Sequence, residues 1–300
     1  MPILGLLAPD FALIALGFAL RRWARFGDEF WPGLERVVYF VFFPALLFKA
    51  LAQSHVEFAS AGALLATAAA ATLVGIVLAV FARRFVHADP ISHASAFQCA
   101  FRFNSYLGFA IIGGLHGDAG IAAMALIQSL VIPLVNVVAV WALARHGRSG
   151  IAGELVRNPL IVATVAGAAC NLSGVQLPVI AAHTLTLLAQ AALPIGLIAI
   201  GASVREPASA RSMGLIAYVS AVKLVAVPAA AWWIAQAAGL TGVYRDAAVL
   251  FGALPSAPAA FILASRMGAD GPLVARILAI QLLIAAATLP LWLSLLLVRF

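Results

Sequence analysis

Ten stretches of this 300-residue chain carry almost no charge: approximately 3–20, 32–52, 59–82, 94–115, 119–143, 158–174, 178–203, 213–236, 246–267 and 273–297. Crossing the hydrocarbon core of a bilayer takes about 20 apolar helical residues. Each stretch therefore has the length of one membrane span. Backbone N–H and C=O groups have no water to bond in lipid, so a span of this length must be an α-helix. The balance of residues agrees. Of the whole chain, 64% is hydrophobic and 10% charged, whereas a soluble domain carries about 25% charged residues. The expected fold class is an all-α polytopic membrane protein of ten transmembrane helices. The longest polar connection is Ala144–Arg157, which leaves no room for an extramembrane domain.

Charge on the connections sets an expected orientation. Arg21, Arg22 and Arg25 follow span 1, with Arg36 at the base of span 2, and Arg83 and Arg84 follow span 3. Arg145, Arg148 and Arg157 follow span 5, Arg205 and Arg211 follow span 7, and Arg266 and Arg276 flank the last connection. The other side holds Arg245 and Arg299, with Lys49 near the outer end of span 2. By the positive-inside rule the arginine-rich side is cytoplasmic and both termini are periplasmic, in a bacterial inner membrane. The N-terminus has no basic region before its apolar run, so residues 2–20 are expected to be a retained helix.

The net charge of +7 does not imply a nucleic-acid partner, because the arginines stand singly or in pairs and form no patch. Cys99 and Cys170 give neither a disulfide framework nor zinc-ligand spacing. There is no phosphate-binding Gly-rich loop with its lysine, no His-Glu-x-x-His and no Gly-x-Ser-x-Gly. Neither an enzyme, a metal nor a cofactor is expected.

Residues 144–157 split the chain into 1–143 and 158–300, five spans each. Five is odd, so two similar halves would insert in opposite senses, as an inverted repeat. A shift of 150 residues sets Pro9 on Pro159 and Pro44 on Pro194, and brings Asn104 beside Pro255. Spans 4 and 9, in corresponding places, are the two that are broken. FRFNSYLGFAIIGG (101–114) holds Arg102, Asn104 and Ser105, and LPSAPAAFILASRMG (254–268) holds Pro255, Ser256 and Pro258. Irregular backbone at membrane depth survives only against protein or a hydrated cavity, and a matched pair of interrupted spans points to a transporter's binding site. Asn104 and Pro255 both lie about ten residues into their spans, close to the midplane. Unwound there, antiparallel spans 4 and 9 are expected to cross, with Ser105 and Ser256 as N-caps of the second half-helices.

Free N–H groups at such half-helix ends suit an anion. Two cations, Arg102 and Lys223, lie deep in the apolar runs, and the eleven carboxylates all fall near span ends. The deep charges thus favour an anionic substrate and speak against carboxylate-based sodium/proton exchange. Arg102 has two open readings, a site residue or one that snorkels to the cytoplasm. Lys223 also has two: substrate contact, or an ammonium that replaces a sodium ion on unwound carbonyls. Gln128, Asn136 and Gln281 either line the path or form interhelical hydrogen bonds.

These motifs resemble the auxin efflux carrier family over essentially the whole chain. The resemblance rests on RNPLIVATVAG (157–167), LPIGLIAIGASV (193–204), KLVAVPAA (223–230) and LPSAPAAFILASRMGAD (254–270). In the first half NSYLGFAI (104–111) is similar to the family's stretch of an asparagine followed by Leu-Gly-x-Pro, with Ala110 in place of its proline. The break in span 4 must then rely on Asn104, Ser105 and Gly108. The resemblance implies two inverted five-helix repeats with crossed, discontinuous helices 4 and 9, as in sodium/proton antiporters and bile-acid symporters. It also implies a homodimer, transport of organic anions such as malate, malonate or auxin, and crossover roles for Asn104, Pro255 and Lys223. A sodium-coupled symporter and an anion channel are the alternatives.

Overall fold

The computed structural model describes residues 3–24, 26–27, 29–52, 61–86, 88–144, 159–175, 177–203 and 210–297, and every regular element among them is helical. The connection at 145–158 lies outside these residues, with Arg145, Arg148 and Arg157. So do Arg25, Arg205 and Arg299, and Asp28, Glu57, Glu154 and Glu206. Among the described residues, five helices are long and apolar enough to cross a membrane: Gly62–Phe85, Ala119–Ala144, Val179–Ala199, Met213–Ala237 and Gly271–Leu295. They coincide with expected spans 3, 5, 7, 8 and 10.

In chain order, α1 is Ile3–Trp23 and α2 is Phe30–Val37. A π turn, Val38–Phe42, runs directly on into α3, Phe43–Ala52. Then come α4 (Gly62–Phe85), α5 (Pro90–Phe97), a 3-10 turn Gln98–Ala100, and α6 (Ser105–Ala144). The second half holds α7 (Pro159–Ser173), α8 (Val179–Ser203) and α9 (Ala210–Ala221). A second π turn, Val222–Ala226, leads into α10 (Val227–Ala237), followed by α11 (Gly242–Ala253), α12 (Ala259–Arg266) and α13 (Gly271–Leu297).

Local chemistry explains the irregular points. Proline lacks an N–H and frees the carbonyl four residues before it. Each π turn sits just ahead of one: Val38–Phe42 before Pro44, and Val222–Ala226 before Pro228. The carbonyl that Pro228 leaves free, on Leu224, accepts instead from the Trp292 indole N–H at 3.0 Å. Asp89 starts α5 by accepting from the N–H groups of Ile91 (3.1 Å) and Ser92 (2.9 Å), with Pro90 at the first helical position. Gly117, at φ 56° and ψ −142°, breaks α6 with a backbone shape that side chains disfavour. The chain turns back there, because Met124 and Ile121 come against Gly108 and Gly113.

Packing follows the rule for helices in lipid, with small residues inward. Along α4, Ala68, Ala71, Gly75, Ala79 and Ala82 are buried while Leu73, Val77, Val80 and Phe81 are exposed. On α1 and α8, Gly17 lies on the Ile198 backbone and Gly201 on that of Ile14, so these helices meet antiparallel at main-chain distance.

The interrupted segments lie at the centre. They run in opposite directions between the same two ends and touch at three levels. Ser92 Oγ donates to Asp270 at 3.0 Å, the Asn104 N–H donates to the Pro255 carbonyl at 2.8 Å, and His116 pairs with Asp246 at 2.8 Å.

Candidate functional site

Both helical breaks fall where polar residues and prolines interrupt the apolar runs. The first spans 101–104, between the 3-10 turn and α6. The second spans 254–258, between α11 and α12. Proline disfavours helical backbone in the residue before it, and Leu254 is accordingly extended, at φ −60° and ψ 138°.

Several freed backbone groups find partners in side chains, as burial requires. The Cys99 carbonyl accepts from Ser256 Oγ and from Gln281 Nε2, the latter at 3.1 Å. Gln281 Oε1 in turn accepts the Ser256 N–H at 3.0 Å. One amide side chain from α13 thereby clasps both breaks. Gln98, which the sequence reading did not single out, adds a bond from Nε2 to the Ala260 carbonyl at 3.2 Å. Its only signal was a glutamine inside an apolar run.

Lys223 sits in the second π turn, 1% exposed, and its Nζ donates to the Gly252 carbonyl at 2.7 Å while lying 5.9 Å from the Phe251 ring centre. In an unbroken helix that carbonyl would take the Ser256 N–H, which is committed to Gln281. Of the two readings for Lys223, this geometry is that of the ammonium on an unwound carbonyl.

The capping expectation needs correction. Asn104, not Ser105, caps α6. Its Oδ1 accepts the Leu107 N–H at 3.2 Å and its carbonyl accepts the Gly108 N–H at 3.1 Å. Ser105 is already the first residue of the helix. Ser256 stands three residues ahead of α12, which begins after Pro258 and has no side-chain cap. Its hydroxyl is spent on Cys99. Gly108 is where the first segment admits the second, since a Cβ there would stand 2.8 Å from Leu254 Cδ1.

Beside the breaks lies a cavity of about 460 Å3, including the part open to solvent. Arg102, Ser105 and Asn136 give it a polar side, Phe43, Phe103, Ile132 and Val135 an apolar wall, and Ala257–Ala259 a third side around Pro258. Asn104, Gly108, Pro255, Ser256, Gln128, Gln281 and Lys223 are not among its lining residues. Gln128 is buried in α6, with Nε2 unpartnered among the described residues. Arg102 does not snorkel: it is 4% exposed, and a terminal guanidinium nitrogen donates to Asn136 Oδ1 at 2.8 Å.

Arg102 Nε and Asn136 Nδ2 are buried with no hydrogen-bond partner among the described residues. Both are donors, and no carboxylate among those residues pairs with Arg102. A buried cation and a buried amide N–H left open ask for acceptors carrying negative charge. Among the described residues there is no His, Cys, Asp and Glu grouping that could hold a metal.

A family model described as membrane transport protein matches residues 2–152 and 150–293. The chain is 26% identical over 298 residues to a Rhizobium meliloti (strain 1021) protein named "Putative malonate transporter", covering 95% of this chain and 93% of that one. It is 25% identical over 305 residues to an uncharacterized transporter of Escherichia coli (strain K12), covering 96% of each. It is likewise 25% identical over 286 residues to an uncharacterized transporter of Methanothermobacter thermautotrophicus, covering 93% of this chain and 94% of the relative.

Proposed function

The chain belongs to the membrane transport protein family, that of the auxin efflux carriers, and we propose that it is an efflux carrier of small organic anions working by alternating access. It is a transporter rather than an enzyme. Its substrates on this reading are dicarboxylates such as malonate or malate, or auxin-like carboxylates. Malonate is the first to test, because one relative is named for it.

The observation that carries the reading is the Arg102–Asn136 pair, which lines a half-apolar cavity beside two broken helices and holds two buried donors unpartnered among the described residues. An apolar wall with a few convergent polar groups is the usual form of a small-molecule site. The substrate carboxylate takes the open N–H groups of Arg102 and Asn136, near Ser105. Asn104, Pro255, Ser256, Gly108, Pro258 and Lys223 hold the crossover in shape. Around it we place ten helices in two inverted repeats, 1–143 and 158–300, joined by 144–157. The crossing segments rock against the remaining helices in a bacterial inner membrane, with both termini periplasmic and a homodimer as the assembly.

Reconstitution tests this. Electrogenic malonate or malate flux is expected in proteoliposomes of the whole chain and is largely lost in Asn104→Ala, which removes the α6 cap and its place against Pro255. Equal flux from the two proteins overturns the site. Sodium dependence would move the reading to a coupled symporter, and single-channel steps would move it to a channel.

A further inference from the structure

A second, narrower opening, of about 260 Å3 including the part open to solvent, shares Pro258 with the first. Glu35 and Val38, Gly196 and Ala199 of α8, and Ile262 of α12 form its walls. Pro258, Ile262 and Arg266 are spaced by four and so share one face of α12. Eight residues at 1.5 Å each put Arg266 about 12 Å along that face from the cavity. There its guanidinium lies 5.0 Å from the Tyr39 ring centre and 4.5 Å from that of Phe40. Neighbouring residues of an α-helix diverge by about 100°. These two reach one cation from within the π turn Val38–Phe42, where an inserted residue widens the helix. Arg266 is exposed and pairs with no carboxylate among the described residues.

We propose that this seam between α12, α8 and the first π turn is the route by which the anion reaches the midplane cavity from the cytoplasmic side, with Arg266 as the cation it meets first. The inference rests on the carrier reading above. An exposed cation–π contact is weaker than a charge-assisted hydrogen bond to a carboxylate. An arriving anion therefore displaces the rings, and when it departs the guanidinium settles back on Tyr39 and Phe40. Ile262 stands midway, so whatever passes must pass it. Glu35 bounds the same wall, which makes the sign of the local potential a quantity to be measured.

The test uses the full chain in liposomes, with Cys170→Ser to remove the one half-exposed native thiol. Ile262→Cys is treated with anionic and cationic methanethiosulfonates of similar size. It is expected to react, to favour the anionic reagent, to be protected by malonate, and to lose malonate flux once modified. Arg266→Gln is expected to lower the anionic-to-cationic rate ratio by about three-fold or more, and Arg266→Lys to restore it. Leu263→Cys, buried among Ala94, Val140 and Met267, should stay inert. Ile262→Cys as inert as Leu263→Cys, or a ratio that ignores Arg266→Gln, overturns the route. A failed route leaves the midplane site standing, whereas wild-type flux from Asn104→Ala fails the site and leaves the thiol chemistry to decide the seam.

Discussion

Arg102 and Lys223 are both cations buried at the level of the breaks, yet their partners give them separable roles. Lys223 spends its charge on the Gly252 carbonyl and the Phe251 face, outside the cavity. Arg102 lines the cavity, bonds Asn136 with one nitrogen, and has Nε unpartnered among the described residues. A hydrogen bond to a charged group is worth about 1.5–3 kcal/mol, so Arg102→Gln should lower malonate flux at limiting concentration roughly 10- to 100-fold. Arg102→Lys should recover little, because an ammonium lacks the planar fork that serves Asn136 and a carboxylate together. Lys223→Met should leave KM for malonate within about two-fold, as expected for a residue without direct contact. Its effect belongs in the melting temperature, where an orphaned Gly252 carbonyl opposes the relief of a buried charge. Flux assays on the three variants, beside thermal melts in detergent, check the division.

Two helices stop partway along their apolar runs, and what holds them is borrowed from elements distant in sequence. Gln281 accepts from Ser256 and donates to Cys99. Gln281→Leu strands the Ser256 N–H and should destabilise by about 1–3 kcal/mol. Close approach matters as much. A Cβ on Gly75 of α4 would stand 2.9 Å from the Ala100 carbonyl oxygen, and one on Gly108 would stand 2.8 Å from a Leu254 methyl. Backbone cannot yield and a leucine end can, so Gly75→Ala should cost more than Gly108→Ala, within the roughly 1–3 kcal/mol of overpacking. Thermal melts of the three variants would order them. The positions of the breaks were legible because Arg102, Asn104 and the prolines at 255 and 258 stand out in apolar runs. The caps were not. Whether Asn104 or Ser105 caps α6 depends on the Asn104 N–H reaching Pro255, a partner 151 residues away. Gly75 gave no signal either, since a glycine in a membrane helix says nothing about which carbonyl it faces.

Across the molecule, the two broken segments touch at both ends and in the middle, as the proposed rocking of one body against its neighbours requires. The end contacts differ in kind. Ser92, Ser95 and Asp270 join them at one end by hydroxyl-to-acid and amide-to-hydroxyl bonds, while Asp246 with His116 and Arg245 joins them at the other. In the middle, Lys223 supplies positive charge to the freed Gly252 carbonyl. Charge balance then falls on the substrate. A carboxylate crossing alone carries net charge, and an interior-negative potential drives it outward by about 2.3 kcal/mol per charge per 100 mV, roughly fifty-fold at equilibrium. Malonate efflux should therefore rise with an imposed inside-negative potassium–valinomycin potential and stay the same when choline replaces sodium. Flux that ignores the potential but collapses without sodium would mean that Lys223 does not stand in for a coupling ion, and that the cation site lies elsewhere along the breaks.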